Sequence, residues 1–392
     1  MRERIDRRAM AVLSLGHGAV DFSGGALPAL LPFLVDEFDL SYTLAAVLIL
    51  ASALSGSVIQ PVFGLWSDRR GAVWMLPAGV AIGGIGIALA SAAPAYWLVI
   101  LFVVVSGIGT AAYHPEGSKF AAFVSGRRRA SGMSLFSVGG NLGYGLGAIA
   151  TTPLVIALGL KGGLVLLVPA LAVAALIVAV TPYLLSFVPD RGSRAVAAGE
   201  NQPQALAVLL AVITFRSLAW FGLVTFVPLW EVSQGHSKSY GNHMLALMLL
   251  VGGLGTLAAG PIADRVGLRA VLLFTNAVSG PLILLFVLVG GIPGAVALAG
   301  VGAAVIGSFG ITMVLAQQYL PRQIGMASGL SIGFSIGLGG VAAVILGAVA
   351  DSIDLRTSFY VCAAAPVVAL ALTALLPRGA ARSRLEPEVA LP

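Results

Sequence analysis

Ionisable side chains are scarce inside the apolar stretches of this chain, and those present stand at spacings that suit proton and anion chemistry. His17 and Asp21 are four residues apart, so on a helix they share one face and can hydrogen-bond or exchange a proton. His114 and Glu116 end the run "YWLVILFVVVSGIGTAAYHPEGSKF"; two residues apart, they point to different sides of a helix, with Lys119 one turn from Glu116. Arg216 lies in a third such stretch, with Trp220 one turn further on. A guanidinium stays charged and presents a planar fork to carboxylate, phosphate or phosphonate, and Trp220 can stack on it or on a substrate. Gln317 and Gln318 close a fourth stretch, where they can bond a substrate or cap a helix end. Asn141 and Tyr144 are further candidates within "SVGGNLGYGLG", whose glycines are expected to pack against the eighth span. His236 and His243 fit no metal-ligand spacing, so no metal site is expected. The single Cys362 excludes an intramolecular disulfide and a thiolate cluster.

Elements that hold such groups must be membrane helices. The chain has 392 residues, 58% hydrophobic and 10% charged, with a mean hydropathy of +1.00. Soluble domains carry about 25% charged residues, so this surface cannot face water all round. A charge inside a bilayer is costly and marks a cavity, a proton path or an ion pair. Twelve stretches are long enough to span, given that about 20 apolar residues are needed: 9–35, 42–66, 73–92, 95–123, 130–159, 163–188, 205–230, 240–262, 270–290, 294–319, 327–350 and 357–377. Polar residues 189–204 separate six spans (1–188) from six (205–377), and residues 378–392 form a polar tail.

The two halves repeat in sequence. "GLWSDRRG" from Gly64 and "GPIADRVG" from Gly260 lie 196 residues apart, as do Pro32 and Pro228, and "ASGMS" from Ala130 matches "ASGLS" from Ala327. At this offset Arg216 corresponds to Val20, next to Asp21, so one half carries an acid and the other a base at the same depth. The two can pair across the pseudo-two-fold axis, or Arg216 can anchor an anion. All Lys and Arg except Lys161, Lys238, Arg356 and the intramembrane Arg216 fall on segments of one side. By the positive-inside rule that side, with both termini, is cytoplasmic. The basic balance therefore reads as topology, and no nucleic-acid partner is expected.

The repeated G-x-x-x-D-R-x-G loop, Gly64, Asp68, Arg69 and Gly71 with its copy Gly260, Asp264, Arg265 and Gly267, resembles the signature loop of the major facilitator superfamily. "HGAVDF", "AAYHPEGS" and "VLAQQYLPRQIGMASGL" are similar to the fosmidomycin-resistance branch of that family. The resemblance covers the whole chain. It implies an all-α integral membrane fold of twelve helices in two pseudo-symmetric bundles, with gating by the D-R loop. It further implies a central cavity lined by the first, fourth, seventh and tenth spans. His17 and Asp21, His114 and Glu116, Arg216, and Gln317 with Gln318 fall on those four spans. Two departures stand out: Gln318 replaces an acid of the branch, and Val103 stands where many drug/proton antiporters carry an arginine.

The expected function is secondary active transport, the proton-coupled export of a small anionic or amphiphilic compound across the inner membrane. Asp21, His17, His114 and Glu116 are the expected proton groups. Arg216, His114, Trp220, Asn141, Tyr144, Gln317 and Gln318 are the expected substrate groups. Uptake by symport and lipid scrambling are the alternatives. No G-x-x-x-x-G-K-[ST] loop is present, so the proton gradient is the expected energy source, with no cofactor. The expected state is a monomer in the bilayer, and no enzymatic activity is expected.

Overall fold

Hydropathy alone dictates most of the helices, and capping residues set several of their ends. The computed structural model describes residues 4–70, 72–126, 129–188, 200–321 and 324–377. The N-terminal half holds α1 (Arg7–Phe38), α2 (Tyr42–Val58), α3 (Gln60–Arg70), α4 (Met75–Ser91), α5 (Tyr96–Val124), α6 (Arg129–Leu158) and α7 (Leu167–Leu185). A 3-10 segment at Leu160–Leu166 leads into α7. The C-terminal half holds α8 (Pro203–Ser233), α9 (Lys238–Val266), α10 (Leu268–Val289), α11 (Gly291–Tyr319), α12 (Ile324–Ser352) and α13 (Leu355–Leu375). Eleven spans in the described residues are long and apolar enough to cross a membrane; α4, with 17 residues, is shorter. This is a multi-pass membrane protein.

Asp6, Ser41, Ser237 and Asp354 each accept a bond from an amide in the first turn of α1, α2, α9 and α13, satisfying donors that a helix leaves free at its start. The bond from the Thr357 amide holds the Asp354 carboxyl below its ordinary range.

One expected span is broken. The stretch 42–66 ends its first helix at Val58, and α3 restarts at Gln60. Pro61 has no N–H for the carbonyl of Ser57, and its ring crowds that carbonyl, which favours the break seen here at Ile59. The glycine-rich seam also differs from expectation. A Cβ on Gly139, Gly143 or Gly147 would collide with the carbonyl oxygens of Ser14, Gly18 or Phe22, all on α1. Of this run only Gly145 meets the eighth span, at Leu249 and Leu250. The glycines therefore seat α6 on α1, because backbone-to-backbone approach is what their missing side chains permit.

The apolar core reveals how the halves meet. At the ends where α1 and α8 finish, one cluster is continuous across both halves, from Ala26, Leu30 and Leu48 to Leu223, Phe226 and Phe359. Towards the arginine-rich end the core divides. One cluster around Met10, Tyr113 and Phe136 belongs to the N-terminal half, and one around Leu209, Leu315 and Tyr319 belongs to the C-terminal half. Polar contacts reinforce the continuous end. Asp351 accepts bonds from the amides of Tyr42 (2.8 Å) and Thr43 (2.9 Å). Asn242 donates to Ala29 O and Thr152 Oγ1, and Lys238 pairs with Asp36. The molecule is sealed at one end and split at the other.

Candidate functional site

The i, i+4 pair on α1 acquires a third member from α5. His17 Nε2 lies 3.3 Å from Asp21 Oδ2, His114 Nε2 lies 3.4 Å from Asp21 Oδ1, and the two imidazole Nε2 atoms are 3.1 Å apart. Backbone carbonyls orient both rings. His17 Nδ1 donates to Phe136 O at 2.8 Å, and His114 Nδ1 donates to Thr110 O at 2.9 Å. A carbonyl can only accept, so each Nδ1 carries hydrogen, and in the neutral ring each Nε2 is then a lone pair. Three acceptors thus face one another with no donor between them, an arrangement that calls for a cation.

Neighbouring residues shape this cluster. The His17 ring stacks on Phe136, with centroids 4.1 Å apart, and Tyr113 donates its hydroxyl to Leu13 O on α1. A Cβ on Gly140 would fall 2.6 Å from His17 Nε2, so only glycine leaves room there. Asp21 and His114 keep 22% and 26% of their side-chain surface exposed, which leaves the cluster within reach of water.

Glu116, expected among the proton groups, stands apart. It is 1% exposed, pairs with Lys119 Nζ at 2.8 Å, and accepts from Ser67 on α3, to which Lys119 also donates. That network ties α3 to α5. Arg216 does not reach Asp21, whose partners are the two histidines. Its guanidinium is buried in the C-terminal half, donating to Thr312 Oγ1 (2.9 Å) and Ser335 Oγ (3.1 Å). Phe309 on α11, rather than Trp220, covers it at 3.8 Å, and Trp220 packs edge-on against Phe309. The four-residue spacing put Trp220 on the right face, but the guanidinium leans towards the hydroxyls of α11 and α12. Its Nε has no partner among the described residues.

The remaining candidates lie nearer the seams. Asn141 Nδ2 reaches Thr256 Oγ1 on α9 at 3.4 Å. The Tyr144 ring lies over Gly24. Gln317 and Gln318 occupy the last turn of α11, half-buried and exposed respectively. In the second D-R copy, Asp264 and Arg265 are exposed and a Cβ on Gly260 would meet nothing, while Gly267 ends α9 at φ 94°. In the first, Gly64 approaches Pro115, whereas Gly71 and the side chains of Asp68 and Arg69 lie outside the described residues. A cavity of about 1260 Å³ lies elsewhere. It is a leucine-lined groove between α1, α6 and α7 with Arg4 and Arg7 among its lining residues, on a different face of α1 from His17 and Asp21.

Among the described residues thirteen α-helices form two halves, parted at one end around an intramembrane polar cluster. The family model of the Major Facilitator Superfamily matches residues 13–334 and 209–391. This chain belongs to the major facilitator superfamily. An uncharacterized MFS-type transporter of Bacillus subtilis, YfnC, is 30% identical over 382 residues, covering 94% of this chain and 92% of that protein. The fosmidomycin resistance protein of Escherichia coli is 28% identical over 377 residues, with the same coverage of 94% and 92%. The fold also matches solved structures. A bacterial homologue of the human lysosomal transporter Spinster, inward-facing, superposes with a TM-score of 0.77 at 15% identity, covering 95% of this chain and 97% of that one. The xylose transporter XylE of E. coli, inward open, gives 0.75 at 13% identity, covering 94% and 96%. At those identities the likeness concerns the fold alone. As a facilitator, the protein is a membrane transporter of small molecules.

Proposed function

We propose that this facilitator exports a small anionic or amphiphilic compound across the inner membrane in exchange for protons. The observation that carries this reading is the convergence of His17 Nε2 and His114 Nε2, 3.1 Å apart, on the two oxygens of the Asp21 carboxylate, at 3.3 and 3.4 Å. Three acceptors need a proton to hold them together, and a proton held inside a bilayer by groups that water can partly reach can be loaded and released. Asp21 is the carrier in this reading. The histidines orient it and share its charge, and Glu116 has the structural task of fastening α3 to α5. The arginine-rich end is taken as cytoplasmic, so the split core describes a cleft open to the cytoplasm, the side from which an exporter loads. The E. coli relative named for fosmidomycin resistance supports efflux as the direction.

A thermal-shift screen of the purified protein against metabolites and antibiotics supplies the compound. The protein is then reconstituted in vesicles containing a pH dye. Adding the compound is expected to move protons in the direction opposite to it, and Asp21→Asn is expected to abolish that movement while the compound still binds. Proton movement that persists in Asp21→Asn at the wild-type rate would remove Asp21 from the coupling. Proton movement in the same direction as the compound would turn the assignment to symport.

A further inference from the structure

We propose that His17, Asp21 and His114 form a binding site for a divalent transition-metal ion of the zinc class, with one coordination position left open. The inference rests on the transporter reading only for the cluster's access to the cleft, and it does not require proton coupling.

The geometry points to such an ion in three ways. First, the separations fit. Tetrahedral zinc holds nitrogen at about 2.0–2.1 Å, which places neighbouring ligand atoms about 3.3 Å apart. The two imidazole Nε2 atoms are 3.1 Å apart, and each faces its own oxygen of the Asp21 carboxylate, His17 at 3.3 Å from Oδ2 and His114 at 3.4 Å from Oδ1; taken one atom from each side chain, the three lie within 4.8 Å of one another. Second, the tautomers are fixed for it. A ligating histidine ordinarily donates its other ring N–H to a carbonyl or carboxylate, which turns the remaining lone pair towards the metal. Both rings here do so, through Phe136 O and Thr110 O, and the stacked Phe136 ring holds His17 in plane. Third, the donor set is selective. Two imidazoles and a carboxylate suit zinc, cobalt or nickel, whereas magnesium and calcium prefer oxygen alone and copper(I) prefers sulfur.

Three protein ligands leave a fourth position, as in sites where water or a substrate completes the shell. The exposure of Asp21 and His114 puts that position within reach of an anionic compound carrying its own donor. The outer pair His236–Glu231, 2.7 Å apart, offers two ligands and serves as the internal control.

The test is a titration of the purified full-length protein, first stripped with chelator, with Co²⁺. Wild-type protein is expected to bind one Co²⁺ per chain with the visible bands of tetrahedral cobalt, and Zn²⁺ is expected to displace it. Asp21→Asn and His114→Gln should each weaken binding by at least about tenfold, since losing even a group that only orients a ligand costs 10–100-fold, while His236→Gln leaves it unchanged. His114→Cys keeps a ligand at that position and should add a sulfur-to-cobalt charge-transfer band, which places the ion there even if the other variants unfold. Absence of saturable binding in the wild type overturns the proposal, as does unchanged binding in an Asp21→Asn, His114→Gln double variant. Metal-free vesicles separate the two readings. Proton movement without cobalt binding overturns this inference alone, and cobalt binding without proton movement overturns the coupling alone.

Discussion

Arg216 and Asp21 stand one repeat position apart in depth, yet the fold treats them differently. Asp21 receives two imidazoles. Arg216 is 2% exposed and, among the described residues, receives only two hydroxyls and an aromatic face, with its Nε unpartnered. A buried cation without a carboxylate is costly, and an anion arriving beside Phe309 would offset that cost. Arg216→Gln keeps partners for Thr312 and Ser335 but removes the charge. A hydrogen bond to a charged group contributes about 1.5–3 kcal/mol, so binding of anionic compounds should weaken at least roughly tenfold, with neutral amphiphiles unaffected. Isothermal titration with an anionic and a neutral hit from the screen checks this, and equal losses for both would make Arg216 a purely structural residue. Sequence spacing revealed the His17–Asp21 pair, because i, i+4 neighbours meet on any helix. It also separated His114 from Glu116. It could not reveal that His114 joins His17 across 97 residues, nor that Phe136 O and Gly140 shape the meeting, since backbone carbonyls carry no signature of their own. The expectation of no metal site rested on spacing along the chain, a measure that cannot register side chains brought together from α1 and α5.

Between elements, the seam of α1 and α6 sets the cluster's geometry. Gly139, Gly143 and Gly147 recur every four residues, one face of a helix, and the carbonyls they admit belong to Ser14, Gly18 and Phe22. Four-residue spacing of small residues is the sequence mark of such a close approach; it names the face but not the partner, which is why α9 was expected in place of α1. Gly143→Ala must push α6 away from Gly18 O, an overpacking that costs about 1–3 kcal/mol and lowers the thermal midpoint in detergent. Gly310→Ala, on α11 where an added methyl meets nothing, should hold or raise the midpoint, because alanine favours helix over glycine by up to about 1 kcal/mol. Equal midpoints for the two variants would mean that the seam tolerates separation. Spans were legible from hydropathy because a bilayer leaves little choice of composition. The break at Pro61 was not, because proline is tolerated inside eight of the other helices here, among them α1, α5 and α8.

Over the whole molecule, duplication in the sequence was enough to place two six-span halves, whereas the way they lean was not written in it, since alternating states share one sequence and differ only in contacts. The core that is continuous at one end and divided at the other selects the state seen here. Its seal depends on a small set of contacts between halves, and Asp351 is the most separable of them. Its carboxylate sits on α12 but accepts the Tyr42 and Thr43 amides that begin α2, so the C-terminal half satisfies donors of an N-terminal helix. Tilting the halves to open this end must break both bonds. Asp351→Ala removes them in the sealed state and costs little in the opened one, where water satisfies the amides. Two hydrogen bonds at this site contribute about 1–3 kcal/mol, enough to shift a two-state balance roughly 5–150-fold towards the state opened at this end. Spin labels on the exposed Glu37 of α1 and Gln234 beyond α8 report the gap directly. The variant should lengthen the distance distribution between them, while a label pair across the arginine-rich end shortens in step. Lengthening at one end without shortening at the other would mean that the two halves do not rock as rigid bodies, and that Asp351 fastens a local hinge in α2 instead of the seal of the transporter.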